Sequence, residues 1–253
     1  MKLIICEDRA EAAERLAGML ADAVKKEPRL KLGLSAGTTS LLAYAGLVRR
    51  WHEHGDFTFR YVTTFSTDEY TTLPPSDHRS TRYLMNTNLF CQVDLPREQT
   101  CIPRGDAADL DSECKAYDLL LDARDGLDVV VLGLGHNGHV GLNEPGSSAK
   151  SRTRLVDLTP STVAAISGGE RFKRVEEVPL KAITMGMADI IDAGRILLIA
   201  CGVGKAEAVT RMCTARPGPA NPSTLILHHP QLTVIVDRAA ASGLDAEQIK
   251  KLH

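Results

Sequence analysis

The segment from residue 131 to 146 contains the side chains best suited to proton transfer. It reads VLGLGHNGHVGLNEPG, and its glycines let a ligand approach the backbone closely. Four side chains with possible roles in chemistry fall within nine residues: His136, Asn137, His139 and Glu144. A histidine with a carboxylate partner is the usual proton shuttle near neutral pH, so this segment predicts acid–base chemistry. The alternatives are a metal site formed by His136, His139 and Glu144, although the helical spacing of zinc proteases is missing, and histidines with a purely structural role.

A second candidate is the carboxylate pair Asp68 and Glu69, which follows the apolar residues of a predicted strand. A carboxylate at the C-terminal end of a strand is placed to act as a general base. Neighbouring side chains in extended backbone point to opposite sides, so we expect at most one of the two to face a substrate. The alternative is that Asp68 only caps the next segment.

Two glycine-containing turns have the composition of anion-binding sites. The turn LSAGTTS offers hydroxyls and the free N–H groups of a helix start, which favour a phosphate or a carboxylate. Its candidate ligand-binding residues are Ser35, Gly37, Thr38 and Thr39. The turn CGVGKA adds the positive charge of Lys205 at a second helix start. The alternative is that both are ordinary helix starts, and the first turn lacks the G-K-[ST] of a nucleotide-binding P-loop.

These turns must be positioned by the strands and helices around them, and the sequence alternates between the two. Short apolar runs predict strands at residues 2–6, 30–34, 58–65, 127–134, 196–201 and 232–236. Helical patterns lie between them, and residues 110–122 form one of these. Uninterrupted apolar runs such as LDVVVLGL are typical of strands buried on both faces of a parallel sheet. We therefore predict an α/β, Rossmann-like three-layer fold, with a central mostly parallel sheet, helices on both faces and ligands at the carboxyl ends of the strands.

Composition narrows the class of protein. The chain has 253 residues and a net charge of −2, with 4% aromatic residues, so neither a basic surface nor base-stacking side chains indicate a nucleic-acid partner. No apolar run is long enough for a membrane span, and the N-terminus does not read as a signal peptide. The six cysteines show no zinc-binding spacing and indicate a reducing cytoplasm. We expect a single domain over residues 1–253.

Five sequence stretches, taken together, carry a family resemblance: LSAGTTS, FSTDEY, GLGHNGHVGLNEPGSS with SRTR after it, VPLKAITMG and CGVGKAEAV. They span residues 32 to about 230 and resemble the glucosamine-6-phosphate deaminase (isomerase) family, including its galactosamine-6-phosphate deaminase branch. The resemblance implies conversion of an aminosugar 6-phosphate and water into a ketose 6-phosphate and ammonia. It implies no metal and no organic cofactor, and a small-molecule aminosugar phosphate as the partner.

The resemblance also implies roles for individual residues. Asp68 would remove the proton from C2 of the open-chain sugar, and His139 would transfer a proton during ring opening. Glu144 would orient His139, while Asn137, where some members have Asp, would help to hold this array. The phosphate would lie on Ser35, Gly37, Thr38 and Thr39 with Lys205 opposite. A small mobile lid at about residues 160–178 would contribute an arginine, for which Arg171 is the best match.

Several alternatives remain at this stage. Glucosamine 6-phosphate giving fructose 6-phosphate is the first choice of reaction, and galactosamine 6-phosphate giving tagatose 6-phosphate is the second. A 6-phosphogluconolactonase is disfavoured by Asn143, Glu144 and Pro145, and a non-catalytic sugar-phosphate sensor by the joint presence of Asp68, His139 and Glu144. A homo-oligomer is possible, whereas we expect no nucleic-acid or membrane partner.

Overall fold

A computed structural model describes residues 1–252 of the chain, with side chains through residue 250. Within that range the strands are β1 (Lys2–Cys6), β2 (Lys31–Leu34), β3 (Thr63–Ser66), β4 (Asp68–Tyr70), β5 (Thr100–Cys101), β6 (Val129–Gly133), β7 (Arg154–Asp157), β8 (Lys181–Thr184), β9 (Arg195–Ala200) and β10 (Leu232–Asp237). The α-helices there are α1 (Arg9–Lys26), α2 (Thr38–His54), α3 (Thr81–Asn88), α4 (Leu110–Asp122), α5 (Pro160–Ile166), α6 (Met187–Ile191), α7 (Ala206–Thr214), α8 (Arg238–Ala241) and α9 (Ala246–Leu252).

The larger sheet has seven strands in the order β1-β10-β9-β6-β2-β3-β5, and every pairing in it is parallel. Parallel neighbours need crossover connections, which the helices supply on both faces of the sheet. The predicted three-layer α/β fold is thereby confirmed. Since all seven strands run in the same direction, their carboxyl ends meet at one edge, and the turns with candidate chemistry start there.

The central strands are buried on both faces. Val129 and Val131 of β6 pack into the hydrophobic cluster that contains α1 and α2. Val130 and Leu132 pack into the cluster on the other face, which contains α4 and α7. Side chains of a strand alternate between its two faces, so this burial explains why residues 127–134 form an almost uninterrupted apolar run.

A second, three-stranded antiparallel sheet has the order β4-β8-β7, and its first strand follows β3 directly in the chain. Its strands have three or four residues each, too few to show a reliable period in the sequence, and we did not predict this sheet. Tyr70 of this sheet packs edge-on against Phe172, with ring centroids 5.4 Å apart, in a third, smaller hydrophobic cluster. Because only Thr67 separates β3 from β4, this sheet fixes Asp68 at the edge of the larger one.

Two predicted elements differ from those observed. The strand expected at residues 58–65 covers only Thr63–Ser66, because a turn closes from the Val62 N–H to the Phe59 carbonyl at 3.0 Å. The carboxylate of Asp94 also accepts from the Phe59 N–H at 2.8 Å and holds this stretch away from the sheet. Residues 91–109, which lie outside every predicted strand, contribute the short edge strand β5.

None of the helices within residues 1–252 combines the length and the apolarity that a membrane span requires.

Candidate active site

The candidate residues converge because the strands that carry them are neighbours. Strand β6 lies between β2 and β9, with Val131 opposite Leu34 and Gly133 opposite Ile199. The turns after these three strands therefore lie side by side at the carboxyl edge. Strand β3 lies on the far side of β2 and delivers the chain into β4. One edge of the sheet thus carries every turn singled out in the sequence.

His139 and Glu144 form a close pair in the turn after β6. The Nδ1 atom of His139 lies 3.7 Å from Oε2 of Glu144 and 3.3 Å from the hydroxyl oxygen of Thr162. The backbone N–H of His139 donates to the side-chain oxygen of Asn137 at 3.2 Å. The ring also lies against Gly135, where an added Cβ would come within 2.4 Å of it. These contacts fix the orientation of the imidazole and direct Nδ1 toward Glu144 and α5.

Glu144 is held as a buried anion. The side-chain amide of Asn137 donates to its Oε2 at 2.6 Å, and the backbone N–H of Thr159 donates to Oε1 at 3.2 Å. Burial acts to raise the pKa of Glu144, but interactions with His139, Thr162 and Asn137 outweigh it and lower the pKa to about 2. A histidine with a carboxylate partner is the usual proton shuttle near neutral pH, so this pair is suited to proton transfer.

Asp68 is the second buried carboxylate at this edge and is only 9% exposed. It accepts a hydrogen bond of 2.7 Å from the hydroxyl of Thr67. Burial raises the pKa of Asp68, and this effect exceeds the opposing ones of the Thr67 hydrogen bond and of the charges on Arg171 and His139. The turn after β6 approaches this point of the chain, because a Cβ added to Gly141 would lie 3.8 Å from Cβ of Thr67. A raised pKa suits a general base.

Glu69 points the other way and has a structural role. Its carboxylate accepts from the backbone N–H groups of Thr81 at 2.8 Å and Arg82 at 2.9 Å, in the first turn of α3. We expected at most one carboxylate of the pair to face a substrate, and Glu69 is occupied by the start of α3. Glu69 thus places its negative charge at the N-terminus of α3, where the helix dipole favours an anion.

Lys205 lies in the turn after β9, in a single-turn 3-10 helix. Its ammonium donates to the carbonyl oxygen of Leu134 at 2.7 Å, which directs it toward the turn after β6. Burial lowers its pKa to about 8. The turn itself is fixed by Asp237, whose two carboxylate oxygens accept from the Gly202 N–H at 3.0 and 2.9 Å. Gly202 has a φ of +91°, a conformation that favours glycine.

The turn after β2 lies on the other side of β6. The backbone carbonyl of Ser35 accepts from the buried Tyr44 hydroxyl at 2.9 Å, and its hydroxyl contacts that of Ser40 at 2.9 Å. Gly37 caps α2 without a side-chain hydrogen bond, and Gly37 and Thr38 are exposed while Thr39 is half-buried. Strands two positions apart are separated by roughly 10 Å, so Lys205 lies across the site from this helix start.

Arg171 lies over the ring of Tyr70, with its guanidinium carbon 4.5 Å from the ring centroid. It donates to the carbonyl oxygen of Arg79 at 2.6 Å and to the Thr81 hydroxyl at 3.1 Å. Its charge also acts on Asp68. The structure thus brings Arg171 to the same end of the site as Asp68, close to the boundary between the two sheets.

The sequence analysis missed the residues that support the site from other elements. Thr159 and Thr162 reach Glu144 and His139 from the start of α5, and Tyr44 supports Ser35 from α2. For Thr159 and Thr162 the sequence did contain one signal. Thr159 caps α5 and is followed by Pro160, a combination typical of a helix start. Nothing in the sequence shows which carboxylate such a helix start will meet.

A metal centre was one alternative for the histidines of the 131–146 segment. Among the side chains that the structure describes, no three His, Cys, Asp or Glu residues are grouped in a way that could hold a metal ion. The Nδ1 atom of His139 instead faces a hydroxyl and a carboxylate.

Comparisons with known proteins identify the family to which this chain belongs. The family model described as glucosamine-6-phosphate isomerases/6-phosphogluconolactonase matches residues 7–235. The glucosamine-6-phosphate deaminase of Bacillus velezensis is 41% identical over 96% of this chain and 100% of its own. The solved structure of a monomeric glucosamine-6-phosphate deaminase, 37% identical, superposes with a TM-score of 0.93 over 96% of this chain and 100% of its own.

A more distant solved structure shows how widely the fold is shared. The 6-phosphogluconolactonase from Trypanosoma cruzi superposes with a TM-score of 0.78 over 97% of each chain at 19% identity, which shows likeness of fold alone. The family model and the relative from Bacillus velezensis each cover most of the sequence and include every turn of the candidate site. The chain belongs to the family of glucosamine-6-phosphate isomerases and 6-phosphogluconolactonases.

Proposed function

We propose that this protein is a glucosamine-6-phosphate deaminase, which converts glucosamine 6-phosphate and water into fructose 6-phosphate and ammonia. The observation that carries the proposal is the buried Asp68 beside the pair of His139 and Glu144. Opening a sugar ring and moving a proton between neighbouring carbons requires two separate acid–base groups, and this site supplies them. The names of the similar proteins described above agree with this reaction.

The phosphate binds between the two outer turns. On one side, Ser35, Gly37, Thr38 and Thr39 offer hydroxyls and the N–H groups at the start of α2, a helix of 17 residues. On the other side, the ammonium of Lys205 supplies a positive charge. Binding at this remote group offsets the entropy lost when the flexible open-chain sugar is ordered over the acid–base groups.

His139 acts first, on the ring oxygen. As the imidazolium it donates a proton to that oxygen while the C1–O5 bond breaks and the C1 hydroxyl gives its proton to water, which leaves an open-chain aldehyde. Glu144 stabilises the charged imidazole from 3.7 Å, and Asn137 keeps both partners in place. Asn137 cannot accept a proton, so it positions the pair and takes no proton itself.

Asp68 then carries out the isomerisation. Its carboxylate removes the proton from C2 of the open-chain sugar, and the same group returns a proton to C1. The carbon skeleton passes through an enolamine to the imine of the ketose; water adds to C2 of that imine and ammonia leaves, which gives fructose 6-phosphate. Burial favours proton uptake by Asp68, and the charges of Arg171 and His139 favour its ionised form, so both states are accessible during the cycle.

The segment of about residues 160–178 acts as a lid. Its first helix, α5, contacts Glu144 and His139, and Arg171 near its other end lies on Tyr70. Closing such a segment over the site excludes water from the carbanion-like intermediate and completes the environment of Asp68. Gly168, with a φ of +74°, supplies a position where the backbone can turn sharply between these two contacts.

The proposed location is the cytoplasm, where thiols stay reduced. All six cysteines are free in the structure, and the buried pair Cys6 and Cys201 belong to the core. A disulfide-free chain with this many thiols is typical of reducing compartments.

Release of ammonia tests the function and its nearest alternatives. Purified protein should release ammonia from glucosamine 6-phosphate with equimolar formation of fructose 6-phosphate. Galactosamine 6-phosphate, which differs at one hydroxyl stereocentre, should be turned over more slowly. A faster reaction with galactosamine 6-phosphate would reassign the substrate. Hydrolysis of 6-phosphogluconolactone without ammonia release from either aminosugar would refute the proposal.

A further inference from the structure

One protonatable side chain of the site has no role in the mechanism above. His136 lies in the turn after β6, three residues before His139, and its side chain is exposed at the carboxyl edge. That turn is flanked by the turn after β2 and the turn after β9, because β6 pairs with both strands. His136 therefore stands between the two elements that the proposed function assigns to the substrate phosphate.

The contacts of His136 place its ring beside the turn after β9. A Cβ built on Gly204 would lie 3.5 Å from Cε1 of the imidazole, which is ordinary van der Waals contact. The next residue, Lys205, donates its ammonium proton to the Leu134 carbonyl, two residues before His136. The imidazole and the ammonium thus approach the same short stretch of backbone.

The charged groups that act on His136 from the elements around it are Lys205 of the neighbouring turn and His139 of its own turn. Both are cationic when protonated. Together with burial, which is the larger effect, they lower the pKa of His136 below its ordinary value of 6.5. In the free protein at pH 7 the imidazole is therefore mainly neutral, although it sits where an anion would favour its charged form.

We propose that His136 is a specificity-determining residue, which takes up a proton from solvent when the phosphate of the sugar binds and then pairs with that phosphate. The inference rests on the proposed function, because it takes the phosphate to lie between Lys205 and the start of α2. A bound dianion compensates the charge of Lys205 and adds an attractive partner for the imidazolium. The site thereby favours a doubly charged phosphate monoester over a singly charged or neutral group.

The sign of the resulting pH dependence follows from linkage. Protonation of His136 accompanies binding, so the affinity for the phosphate dianion falls as the pH rises through the His136 range. Below the second phosphate pKa of about 6, protonation of the phosphate itself removes the dianion. Each pKa unit by which phosphate raises the imidazole pKa corresponds to a ~10-fold difference in affinity between the two ends of that range. Deprotonation of Lys205, with its pKa of about 8, weakens binding in a separate step at higher pH.

Calorimetry with a ligand that cannot react measures the proton directly. Fructose 6-phosphate in the absence of ammonia is titrated into the protein at pH 7 in two phosphate-free buffers of different ionisation enthalpy. The difference between the two heats gives the number of protons taken up. We expect uptake by the wild type, clearly smaller uptake by His136→Gln and unchanged uptake by the control His54→Gln, whose side chain is exposed at the end of α2.

The wild type and His136→Gln should also differ in the pH dependence of their steady-state kinetics. When KM is expressed per concentration of the phosphate dianion, the KM of the wild type for glucosamine 6-phosphate should rise from pH 5.5 to pH 7.5. His136→Gln should lose most of this rise while keeping its kcat within about threefold. Equal proton uptake and equal KM profiles in the wild type and His136→Gln would overturn the inference while ammonia release left the proposed function intact. Absence of both sugar-phosphate binding and ammonia release in the wild type would reject the proposed function and this inference with it.

Discussion

Replacing Glu144 by Gln removes the charge of the carboxylate beside His139 and keeps the size of the side chain. The structure sets the scale of the effect. Because one pKa unit corresponds to about 1.4 kcal/mol, a pKa lowered from 4.5 to about 2 means that the surroundings favour the ionised form by about 3 kcal/mol. Glu144 is buried, so this preference is only weakly screened by solvent.

The stability of Glu144→Gln should therefore depend on pH in a defined direction. A carboxylate whose pKa is lower in the folded state contributes stability above its unfolded pKa and loses that contribution as the pH falls toward its folded pKa. We expect the variant to be less stable than the wild type at pH 7 by up to about 3 kcal/mol, and the difference to shrink between pH 4.5 and pH 2. Denaturant unfolding of both proteins at pH 7, 5, 4 and 3 measures this difference.

Catalysis should be impaired together with stability. Without the anion 3.7 Å from Nδ1, the imidazolium of His139 loses its electrostatic partner, and the Gln amide can stabilise the wrong tautomer. We expect kcat for ammonia release to fall by ~10²-fold or more, the usual scale of a lost acid–base contribution, with little change in KM. Glu53→Gln, at an exposed position of α2, is the matched control. A variant with kcat within threefold of the wild type, or a stability difference independent of pH, would refute this reasoning.

Three further predictions concern neighbouring residues. Thr162→Val should lower kcat several-fold without raising KM, because the hydroxyl 3.3 Å from Nδ1 of His139 is lost, and Thr162→Ser should restore it; full activity of the valine variant would contradict this role. Gly135→Ala should reduce kcat at least ~10-fold, since general acid–base catalysis depends on geometry and the added Cβ would meet the His139 ring at 2.4 Å; unchanged turnover would show that the ring position is not critical. The kcat/KM of the wild type should fall as the pH rises through about 8, because only the protonated ammonium of Lys205 attracts phosphate. In Lys205→Arg this fall in kcat/KM should begin at higher pH. The same fall at the same pH in both proteins would argue against a contact between Lys205 and the phosphate.

The sequence predicted those elements whose pattern is local. Helix α4 covers residues 110–122 as expected. Capping is local too, as where Asp8 accepts from the Glu11 N–H at the start of α1. The run around β6 could be identified because both of its faces are buried, which leaves few polar residues in it. Periodicity and capping are properties of consecutive residues, so a single sequence contains them.

The parts that were not predicted depend on contacts between distant residues. The small sheet pairs Asp68 with Thr184, and its strands have four residues or fewer. Thr162 meets His139 across 23 positions, and Asp237 fixes Gly202 across 35. Such contacts are set by the tertiary packing, for which a hydroxyl or carboxylate in the sequence gives no signal of its own.

The candidate site, too, was predicted in part from the sequence and in part only visible in the structure. The motifs supplied His139, Glu144 and Asp68 as acid–base candidates. Their relative placement followed from the rule that parallel strands meet at one edge. Only the structure shows that Glu69 is occupied by the start of α3, which leaves Asp68 as the acid–base candidate of the pair.

The central claim is that Asp68 moves the proton between C2 and C1 of the sugar. Incubation of fructose 6-phosphate with ammonia and enzyme in D2O measures this step directly, because the base exchanges protons at C1 of the sugar. We expect the wild type to introduce deuterium at C1 of fructose 6-phosphate, which NMR measures. Asp68→Asn should bind fructose 6-phosphate with nearly unchanged affinity but exchange at least ~10²-fold more slowly. Exchange by Asp68→Asn within a few-fold of the wild-type rate would contradict the assignment of Asp68 as the base.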